Sequence, residues 1–267
     1  MTDSIAQHFL ALHRPHTPLL MPNAWDVGSA KILENLGFQA LATTSSGFAA
    51  SLGRLDGNVT REEALDHAGL LVEATGLPVS ADLENCFFDD PSGVAETIRL
   101  ARDVGLAGGS VEDFTGNAND PIYEFELAVE RVTAAAEAAA EAPFVLTARA
   151  ENHLHGREDL DDTIARLVSY CEAGADVVFA PGVRDAEGIR RIVDAVSVPV
   201  SVLAPGSPPV ADLAELGVAR VSVGGSFAFA ALGGLVEAAQ EFLEDGTQDF
   251  VARAAVGFSA ARQAFAG

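Results

Sequence analysis

Two carboxylates set two positions apart are the residues most suited to chemistry in this chain. Asp82 and Glu84 lie in the stretch VSADLENCFFDDP, at the end of an apolar run that resembles a buried strand. Side chains two residues apart on a strand point to the same side, so both acids are expected to face one cavity. Two carboxylates this close repel each other unless a cation or a shared proton lies between them. The spacing therefore indicates half of a metal site.

A third acid, Glu112, ends the run GGSVED. Three carboxylates without a nearby histidine or thiolate cluster suit a hard ion, so the expected metal is Mg²⁺, with Mn²⁺ as a substitute. Helix caps and ion pairs at the starts of loops are the alternative role for these acids. The residue types alone leave both roles open.

Arg149, at the end of the run FVLTARAE, offers a positive charge beside these acids. A guanidinium can hold a carboxylate through two parallel hydrogen bonds, which fixes the orientation of an anion as well as its charge. Arg149 is therefore expected to bind the carboxylate of a substrate. Pairing with Glu84, Glu112 or Glu151 is the alternative, and the residue types favour neither.

Eight short apolar runs must position these residues. They are PLLMPNA (18–24), ALATTS (40–45), PVSADLE (78–84), GGSVED (108–113), FVLTARAE (144–151), DVVFAP (176–181), PVSVLA (199–204) and ARVSVGG (219–225). Continuous apolar runs are typical of parallel strands covered on both faces. Amphipathic segments separate the runs, and several end with a glycine that favours helix termination. The pattern predicts one α/β domain over residues 1–267, a (β/α)₈ TIM barrel with its active site at the carboxyl ends of the strands.

Two further helical stretches follow the eighth run, within residues 226–267. One helix is enough to close the barrel. The last stretch has an apolar stripe to bury, so we expect it to pack outside the ring, against another subunit. Residues 226–267 are thus interpreted as closing and oligomerisation helices.

Composition narrows the class of protein. The formal charge of −23 disfavours nucleic acid and anionic membranes as partners. The sequence has neither an apolar run of about 20 residues that could cross a bilayer nor the pattern of a secretory leader, so a cytoplasmic location is expected. Lys31, the only lysine, lies in a segment typical of a surface helix, which argues against a Schiff-base enzyme. Cys86 and Cys171 are too few for a disulfide framework.

Six strings occur in a characteristic order and spacing: NAWDVGSA, ALATTSSGFAASLGRLDG, VSADLEN, GSVEDFTG, TARAEN and FAPG. In this respect the chain resembles the isocitrate lyase / phosphoenolpyruvate mutase superfamily, and is most similar to its short phosphonomutase-like, carboxyvinyl-carboxyphosphonate phosphorylmutase-like branch. The resemblance implies a (β/α)₈ barrel, usually tetrameric, with its eighth helix exchanged with a neighbouring subunit. It also implies Mg²⁺ and a small 2-oxo acid or phosphonate substrate, with a C–C or P–C bond made or broken through an enolpyruvate-type intermediate.

The resemblance further implies a role for individual residues. Asp82 and Glu84 match the metal-binding acids of the family, and Glu112 matches its acid on the next strand. Asp56, in GRLDG, matches an acid that helps to anchor the waters of the metal, and Arg149 matches the arginine that binds the substrate carboxylate. The turn that grips this carboxylate in the family corresponds here to Thr43, Thr44, Ser45 and Gly47. Trp25 has a position that permits it to line the pocket, with packing at the start of the first helix after strand 1 as the alternative.

The sequence also departs from the lyases of the family. Their mobile loop carries Lys-Lys-Cys-Gly-His, whereas the loop here, DFTGNANDPIYEFE, has no lysine, cysteine or histidine. After the sixth strand, where the lyases have a glutamate and the phosphonate mutase a histidine, this chain has Pro181-Gly182. Cys86 and His153 are therefore the candidates for proton transfer. A buried thiol and a helix-capping histidine are the alternatives. Phe87 and Phe88 are expected to narrow the mouth of the site.

A Mg²⁺-dependent lyase or mutase acting on a small 2-oxo acid is thus the leading hypothesis, as a homodimer or homotetramer. One alternative is a phosphate-binding barrel isomerase or aldolase, which the turn Gly224-Gly225-Ser226 would favour because a glycine turn before a helix can bind phosphate. The other is a 2-oxo acid binding protein that has lost catalysis, which the missing proton-transfer groups would favour.

Overall fold

Eight short parallel strands form the centre of the molecule. The structure, a computed structural model, describes residues 4–266. The strands are β1 (Leu19–Met21), β2 (Leu41–Ala42), β3 (Val79–Asp82), β4 (Gly108–Glu112), β5 (Val145–Arg149), β6 (Val177–Phe179), β7 (Val200–Leu203) and β8 (Arg220–Ser222). They pair in the order β1-β8-β7-β6-β5-β4-β3-β2, and a parallel bridge between Asn23 and Ala42 brings β1 next to β2. Each strand lies within one of the eight predicted runs, and the predicted (β/α)₈ barrel is confirmed.

Helices surround this barrel. They are α1 (Ile5–Ala11), α2 (Val27–Asn35), α3 (Ser45–Ser51), α4 (Arg61–Ala74), α5 (Pro91–Asp103), α6 (Phe125–Ala140), α7 (Leu160–Glu172), α8 (Ala186–Ala195), α9 (Val210–Glu215), α10 (Ser226–Glu244) and α11 (Val251–Ala264), with a 3₁₀ turn at Asn152–His155. Several of these helices begin with an N-cap residue, whose side-chain oxygen accepts a hydrogen bond from a backbone N–H of the first turn that would otherwise be unpaired. Asp26 accepts from Ser29 at α2, and Thr60 accepts from Glu63 at α4.

The amino-terminal end of the barrel is closed by α1. Phe9 is fully buried and packs with Leu19, Val145 and Val177 from the strands. Gly108 of β4 lies beside Phe9. An added Cβ on this glycine would lie 2.5 Å from the carbonyl oxygen of Val145 and 3.1 Å from Cε1 of Phe9. A glycine is thus required here because the backbone of β5 and the ring of Phe9 approach so closely.

Gly108→Ala is expected to lower the free energy of unfolding by about 1–3 kcal/mol, because the new methyl group overpacks this contact. Gly69→Ala, in α4, is the matched control, since its added Cβ would meet only Cβ of Val104 at 3.6 Å. The control should gain about 0.4–1 kcal/mol from the lower entropy of its unfolded chain. Urea unfolding of both variants measures the difference. Equal stability of the Gly108→Ala and Gly69→Ala variants would show that Phe9 does not constrain this strand.

The carboxyl-terminal helices bury little of their own surface. Ala228 is the buried residue of α10, and no residue of α11 within the described chain is buried. Leu20, on the outer face of β1, is 45% exposed although its strand neighbours Leu19 and Met21 are each only 4% exposed. The outside of the barrel at β1 is therefore not fully covered by this chain. None of the helices in residues 4–266 is long and apolar enough to cross a membrane.

Candidate active site

A cavity of about 160 Å³ opens at the carboxyl ends of the strands. Side chains from several strand ends and turns meet in it, as the barrel architecture predicts. Its polar wall includes Asn23, Thr43, Asp56, Asp82, Arg149 and Ser222. The titratable side chains among its described lining are two aspartates and two arginines, namely Asp56, Asp82, Arg149 and Arg220.

Arg149 ties together acids from three strand ends. Its Nη1 donates to Oδ1 of Asp82 at 2.8 Å, its Nη2 pairs with Oε2 of Glu112 at 3.0 Å, and its Nε donates to Oε1 of Glu151 at 2.8 Å. Burial opposes the charge of this arginine, but the three carboxylates outweigh it and raise its pKa. A guanidinium has five N–H groups, so two of them remain without a partner among these three acids, and Arg149 lines the cavity. The alternative role as an ion-pair partner is thus observed, and it leaves room for the predicted role in ligand binding.

Acidic side chains outnumber basic ones around Arg149. Burial and then the charges of Asp82 and Asp56 raise the pKa of Glu84 to about 7. Burial also raises the pKa of Glu112, and that of Glu151 to about 6, although Arg149 opposes both shifts. The arginine therefore does not fully compensate the acids around it.

This excess is the observation that bears on the predicted metal. Carboxylates that resist ionisation next to one another gain stability from an added cation, and oxygen donors suit Mg²⁺. The chemistry of Asp82, Glu84 and Asp56 therefore fits a hard divalent ion. Their arrangement is looser, since no group of three or more histidine, cysteine, aspartate or glutamate side chains in residues 4–266 is close enough to hold a metal. Arg149 lies between Asp82 and Glu112. The set Asp82, Glu84 and Glu112 stays a prediction.

The turn after β3 has an unusual backbone. Glu84, Cys86 and Phe87 have φ values of 51°, 59° and 64°, in the left-handed region that side chains with a Cβ rarely occupy. The fully buried Arg131 holds this turn, because it donates to the carbonyl oxygens of Asn85, Phe88 and Asp89. The hydrogen bonds of the buried Arg131 thus stabilise an unfavourable backbone conformation, which the sequence pattern does not reveal.

That turn decides where its side chains point. Cys86 is fully buried, and burial raises the pKa of its thiol to about 12. Phe87 and Phe88 are not part of the cavity lining, and Phe88 instead packs against Gly93, where an added Cβ would clash with it. The structure therefore places Cys86 in the core and does not bring the two phenylalanines to the cavity.

The turn after β2 holds Asp82 from the other side. The backbone N–H of Asp82 donates to Oγ1 of Thr43 at 2.9 Å, and the N–H of Ser45 donates to Oδ2 of Asp82 at 3.2 Å. Thr44 caps α3 through the N–H of Gly47 at 3.3 Å. Thr43, Thr44 and Ser45 all line the cavity. This predicted turn is thus brought together with the predicted acid.

Gly47, Trp25 and His153 lie outside the cavity lining. An added Cβ on Gly47 would lie 2.6 Å from Cγ2 of Thr44 and 3.2 Å from Cβ of Trp25, so this glycine allows α3 to pack closely. The carbonyl oxygen of Trp25 is bonded by Nε2 of His67 at 3.0 Å. His153 packs against Gly182, and its buried Nε2 has no partner among the described residues.

A buried network behind the site positions Glu151. Asp113 accepts from the N–H of Glu151 at 2.8 Å, from the hydroxyl of Tyr170 at 2.7 Å and from Nη1 of Arg166 at 3.2 Å. Burial raises the pKa of Asp113 despite these donors. Asp113 thereby fixes the start of the 3₁₀ turn, and Glu151 in turn orients Arg149.

Gly224 and Gly225 of the turn Gly224-Gly225-Ser226 line the cavity, but the turn is already bonded within the protein. The backbone N–H groups of Val223 and Gly224 both donate to Oδ1 of Asn23, at 3.1 and 2.8 Å. Two donors of the kind that would cradle a phosphate are therefore used by Asn23.

Sequence reasoning missed four polar residues of the cavity, namely Ser80, Ser110, Arg220 and Ser222. A signal was present, since Ser80 and Ser110 each lie two positions before a predicted metal-binding acid. Side chains two apart share one face of a strand, so these serines should accompany the acids into the barrel. Arg220 was a further signal, because it is a charged residue within the otherwise mostly apolar run ARVSVGG.

A parallel (β/α)₈ barrel that brings an arginine and several acids to the carboxyl ends of its strands has the architecture of a barrel enzyme. The comparisons specify this class. The chain belongs to the phosphoenolpyruvate phosphomutase family, whose sequence model matches residues 9–243, and so to the isocitrate lyase / phosphoenolpyruvate mutase superfamily.

Named relatives agree with this assignment. The 2-methylisocitrate lyase of Escherichia coli (strain K12) is 29% identical over 225 residues, which cover 80% of this chain and 75% of that protein. A solved structure from Burkholderia cenocepacia J2315, whose name assigns it provisionally to lyases or mutases, has a TM-score of 0.93 and 53% identity and covers 98% of this chain and 95% of that chain. The structure of a 2,3-dimethylmalate lyase has a TM-score of 0.82 at 25% identity, and the match covers 93% of this chain and 90% of that chain. These relatives are lyases and mutases, which indicates an enzyme of that type.

Proposed function

We propose that this chain is a Mg²⁺-dependent lyase or mutase that acts on a small 2-oxo acid. The observation that carries the proposal is the placement of Asp82. Its carboxylate lies in the cavity, where it is bonded by Arg149 on one side and by the N–H of Ser45 in the turn after β2 on the other. The acidic excess around it favours a bound cation.

Different residues of the cavity would bind the metal and the substrate carboxylate. Asp82 and Glu84, with Asp56 at the mouth, would hold the metal, and Glu112 would support it from β4. When bound, Mg²⁺ supplies a Lewis acid that draws electrons from a 2-oxo group. The free donors of Arg149 would bind the substrate carboxylate, with the turn of Thr43, Thr44 and Ser45 beside it. Fixed charges of this kind stabilise an enolate because they need no reorganisation during the reaction.

Proton transfer is the step for which the cavity offers least. No histidine, cysteine or lysine is part of its described lining, to which Leu154, Phe179 and Pro181 contribute apolar surface. We therefore propose a reaction in which the enolate is formed or consumed without a dedicated side-chain acid such as the cysteine of the lyases. Transfer of a group to the enolate, or protonation by solvent, meets this condition.

Turnover can be tested with a panel of acids. The protein is incubated with Mg²⁺ and oxaloacetate, phosphonopyruvate, 2-methylisocitrate or 2,3-dimethylmalate, and products are followed by ¹H and ³¹P NMR. Conversion of at least one acid that stops on addition of EDTA is the expected result. Binding without conversion would favour the 2-oxo acid binding protein, and absence of binding to every member would contradict the proposal.

We also propose that the chain works as a homo-oligomer in which α10 and α11 are covered by a second copy. Leu235, Phe242 and Leu243 on α10 are 64%, 61% and 84% exposed, and Phe258 on α11 is 71% exposed. An apolar surface of this extent normally marks an interface. The exposed Leu20 on β1 indicates that the outside of the barrel there is open to a partner's helix.

Leu235→Glu is expected to shift the protein to a smaller species in analytical ultracentrifugation, because a charge would be buried in the interface. Leu70→Glu, the same replacement at an exposed leucine of α4, is the control and should leave the assembly intact. A wild-type protein that sediments as a monomer would contradict the oligomer.

A further inference from the structure

Arg220 is a buried cation without an acidic partner. It is 3% exposed at the start of β8 and lines the floor of the cavity. Its Nε donates to Oγ of Ser201 at 2.8 Å, and its Nη1 donates to Oγ1 of Thr147 at 3.1 Å. No carboxylate pairs with it among residues 4–266, and the nearby charge that acts on it is that of Arg149. A buried charge with only neutral partners is costly, so its presence calls for a reason.

The remaining neighbour of Arg220 is also neutral. Nη1 of Arg220 lies 3.4 Å from Nε2 of His13, whose Nδ1 lies 2.9 Å from the carbonyl oxygen of Phe9. Burial and then the charge of Arg220 lower the pKa of His13 to about 3, so this histidine accepts a hydrogen bond without adding charge. Burial and the charge of Arg149 lower the pKa of Arg220 to about 9, which leaves the guanidinium protonated at neutral pH.

One end of this guanidinium is free. Nη2 of Arg220 makes no hydrogen bond to any residue in the described part of the chain. It is not among the fully enclosed polar atoms that lack a partner, so it faces the open space of the cavity. The two N–H groups of Nη2 are therefore available to a ligand bound at the floor of the cavity.

Three hydroxyl groups face the same space. Ser80 on β3, Ser110 on β4 and Ser222 on β8 line the cavity and are 4%, 9% and 6% exposed. Within residues 4–266 none of these hydroxyls has a hydrogen-bond partner, and none is fully enclosed. Hydroxyl groups and a guanidinium are donors to an anion, whereas buried polar groups are normally satisfied by the protein itself.

We propose that Arg220, with Ser80, Ser110 and Ser222, forms a second anion subsite at the floor of the cavity, so that a bound ligand places one anionic group on Arg220 and another on Arg149. The inference rests on the proposed function and deepens it, because it assigns a binding role to further residues of the same cavity.

The size of the cavity agrees with a short ligand. A cavity of about 150 Å³ holds a molecule of about six heavy atoms, as benzene does, and the volume here is about 160 Å³. The cavity thus accommodates two carboxylates joined directly or through one carbon, a molecule of about six or seven heavy atoms. A larger substrate would extend through the mouth past Asp56.

Malonate and its monomethyl ester provide a matched pair of probes, since they share a carbon skeleton and differ by one negative charge. Both are titrated calorimetrically into wild type, Arg220→Met and Arg220→Lys, once with Mg²⁺ and once with EDTA. Wild type is expected to bind malonate about 10- to 100-fold more tightly than the ester, the range for a hydrogen-bonded charge. With EDTA, Arg220→Met should bind both equally. With Mg²⁺ it should keep only the part of the preference that comes from chelation of the cation by both carboxylates of malonate. Arg220→Lys should retain part of the preference in both arms.

The arms separate this inference from the proposed function. A preference for malonate that is lost in Arg220→Met, without any effect of Mg²⁺, would support the subsite and contradict the metal. A preference as large in Arg220→Met as in the wild type, in either arm, or no malonate binding in both arms, would overturn the subsite. If Arg220→Met does not fold, Ser222→Ala decides, because loss of one hydroxyl should weaken malonate binding by about 2- to 10-fold, and unchanged binding would overturn the subsite.

Discussion

Asp82→Asn is expected to lower Mg²⁺-dependent turnover by on the order of 10²–10³-fold. The amide keeps the size of the side chain and can still accept from the N–H of Ser45, but it removes the negative charge that would hold the cation. Initial rates on any acid converted by the wild type measure the effect. Mg²⁺ affinity should fall in parallel, as followed by calorimetry.

Asp66→Asn is the matched control, since Asp66 lies exposed on α4 away from the cavity. It should leave both rate and Mg²⁺ affinity within about twofold of the wild type. An Asp82→Asn variant that binds Mg²⁺ and ligand as the wild type does would remove Asp82 from the metal site and leave the ion-pair role as its function.

Arg149→Ala is expected to weaken the binding of a carboxylate ligand by about 2–3 kcal/mol, the range for charge-assisted hydrogen bonds. The structure adds a second effect. Glu112 and Glu151 are 8% and 2% exposed and would lose their cationic partner, and removal of one member of a buried ion pair costs about 3–5 kcal/mol of stability. Calorimetry with a 2-oxo acid and urea unfolding measure the two effects separately, and an unchanged dissociation constant would contradict the role in binding.

The loss of stability in Arg149→Ala should depend on pH in a defined direction. The pKa values of Glu112 and Glu151 are already raised in the wild type, and loss of the arginine raises them further. The folded state then binds more protons than the unfolded state above a pH of about 4.5, so stability increases as the pH falls. The variant should therefore recover part of its lost stability between pH 8 and 6. A pH-independent deficit would show that lost packing, and not unpaired charge, is the cause.

The architecture and the acids could be read from the sequence because both follow local rules. Eight apolar runs with intervening amphipathic segments allow few arrangements other than a parallel barrel, and strand alternation places Asp82 in its mouth. The barrel also brings Arg149 to the same end as Asp82 and Glu112, as expected from their positions at strand ends.

The rest depends on contacts between residues that are distant in the chain. The left-handed turn that buries Cys86 is held by Arg131, which lies 45 positions later, so no local pattern could show that the thiol points to the core. The partners of Arg149 likewise depend on how three strands align. Arg220 was overlooked because one charge in an apolar run does not reveal whether it has a partner, and only the assembled barrel shows that it has no acidic one.

The most direct test of the central claim is a calorimetric titration of oxalate, a planar dianion that resembles the enolate of pyruvate, with and without Mg²⁺. If Asp82 and its neighbouring acids hold a cation that joins Arg149 in binding the ligand, oxalate should bind at least about 100-fold more tightly in the presence of Mg²⁺, a coupling free energy of roughly 2.7 kcal/mol. Equal affinity with Mg²⁺ and with EDTA would contradict the claim.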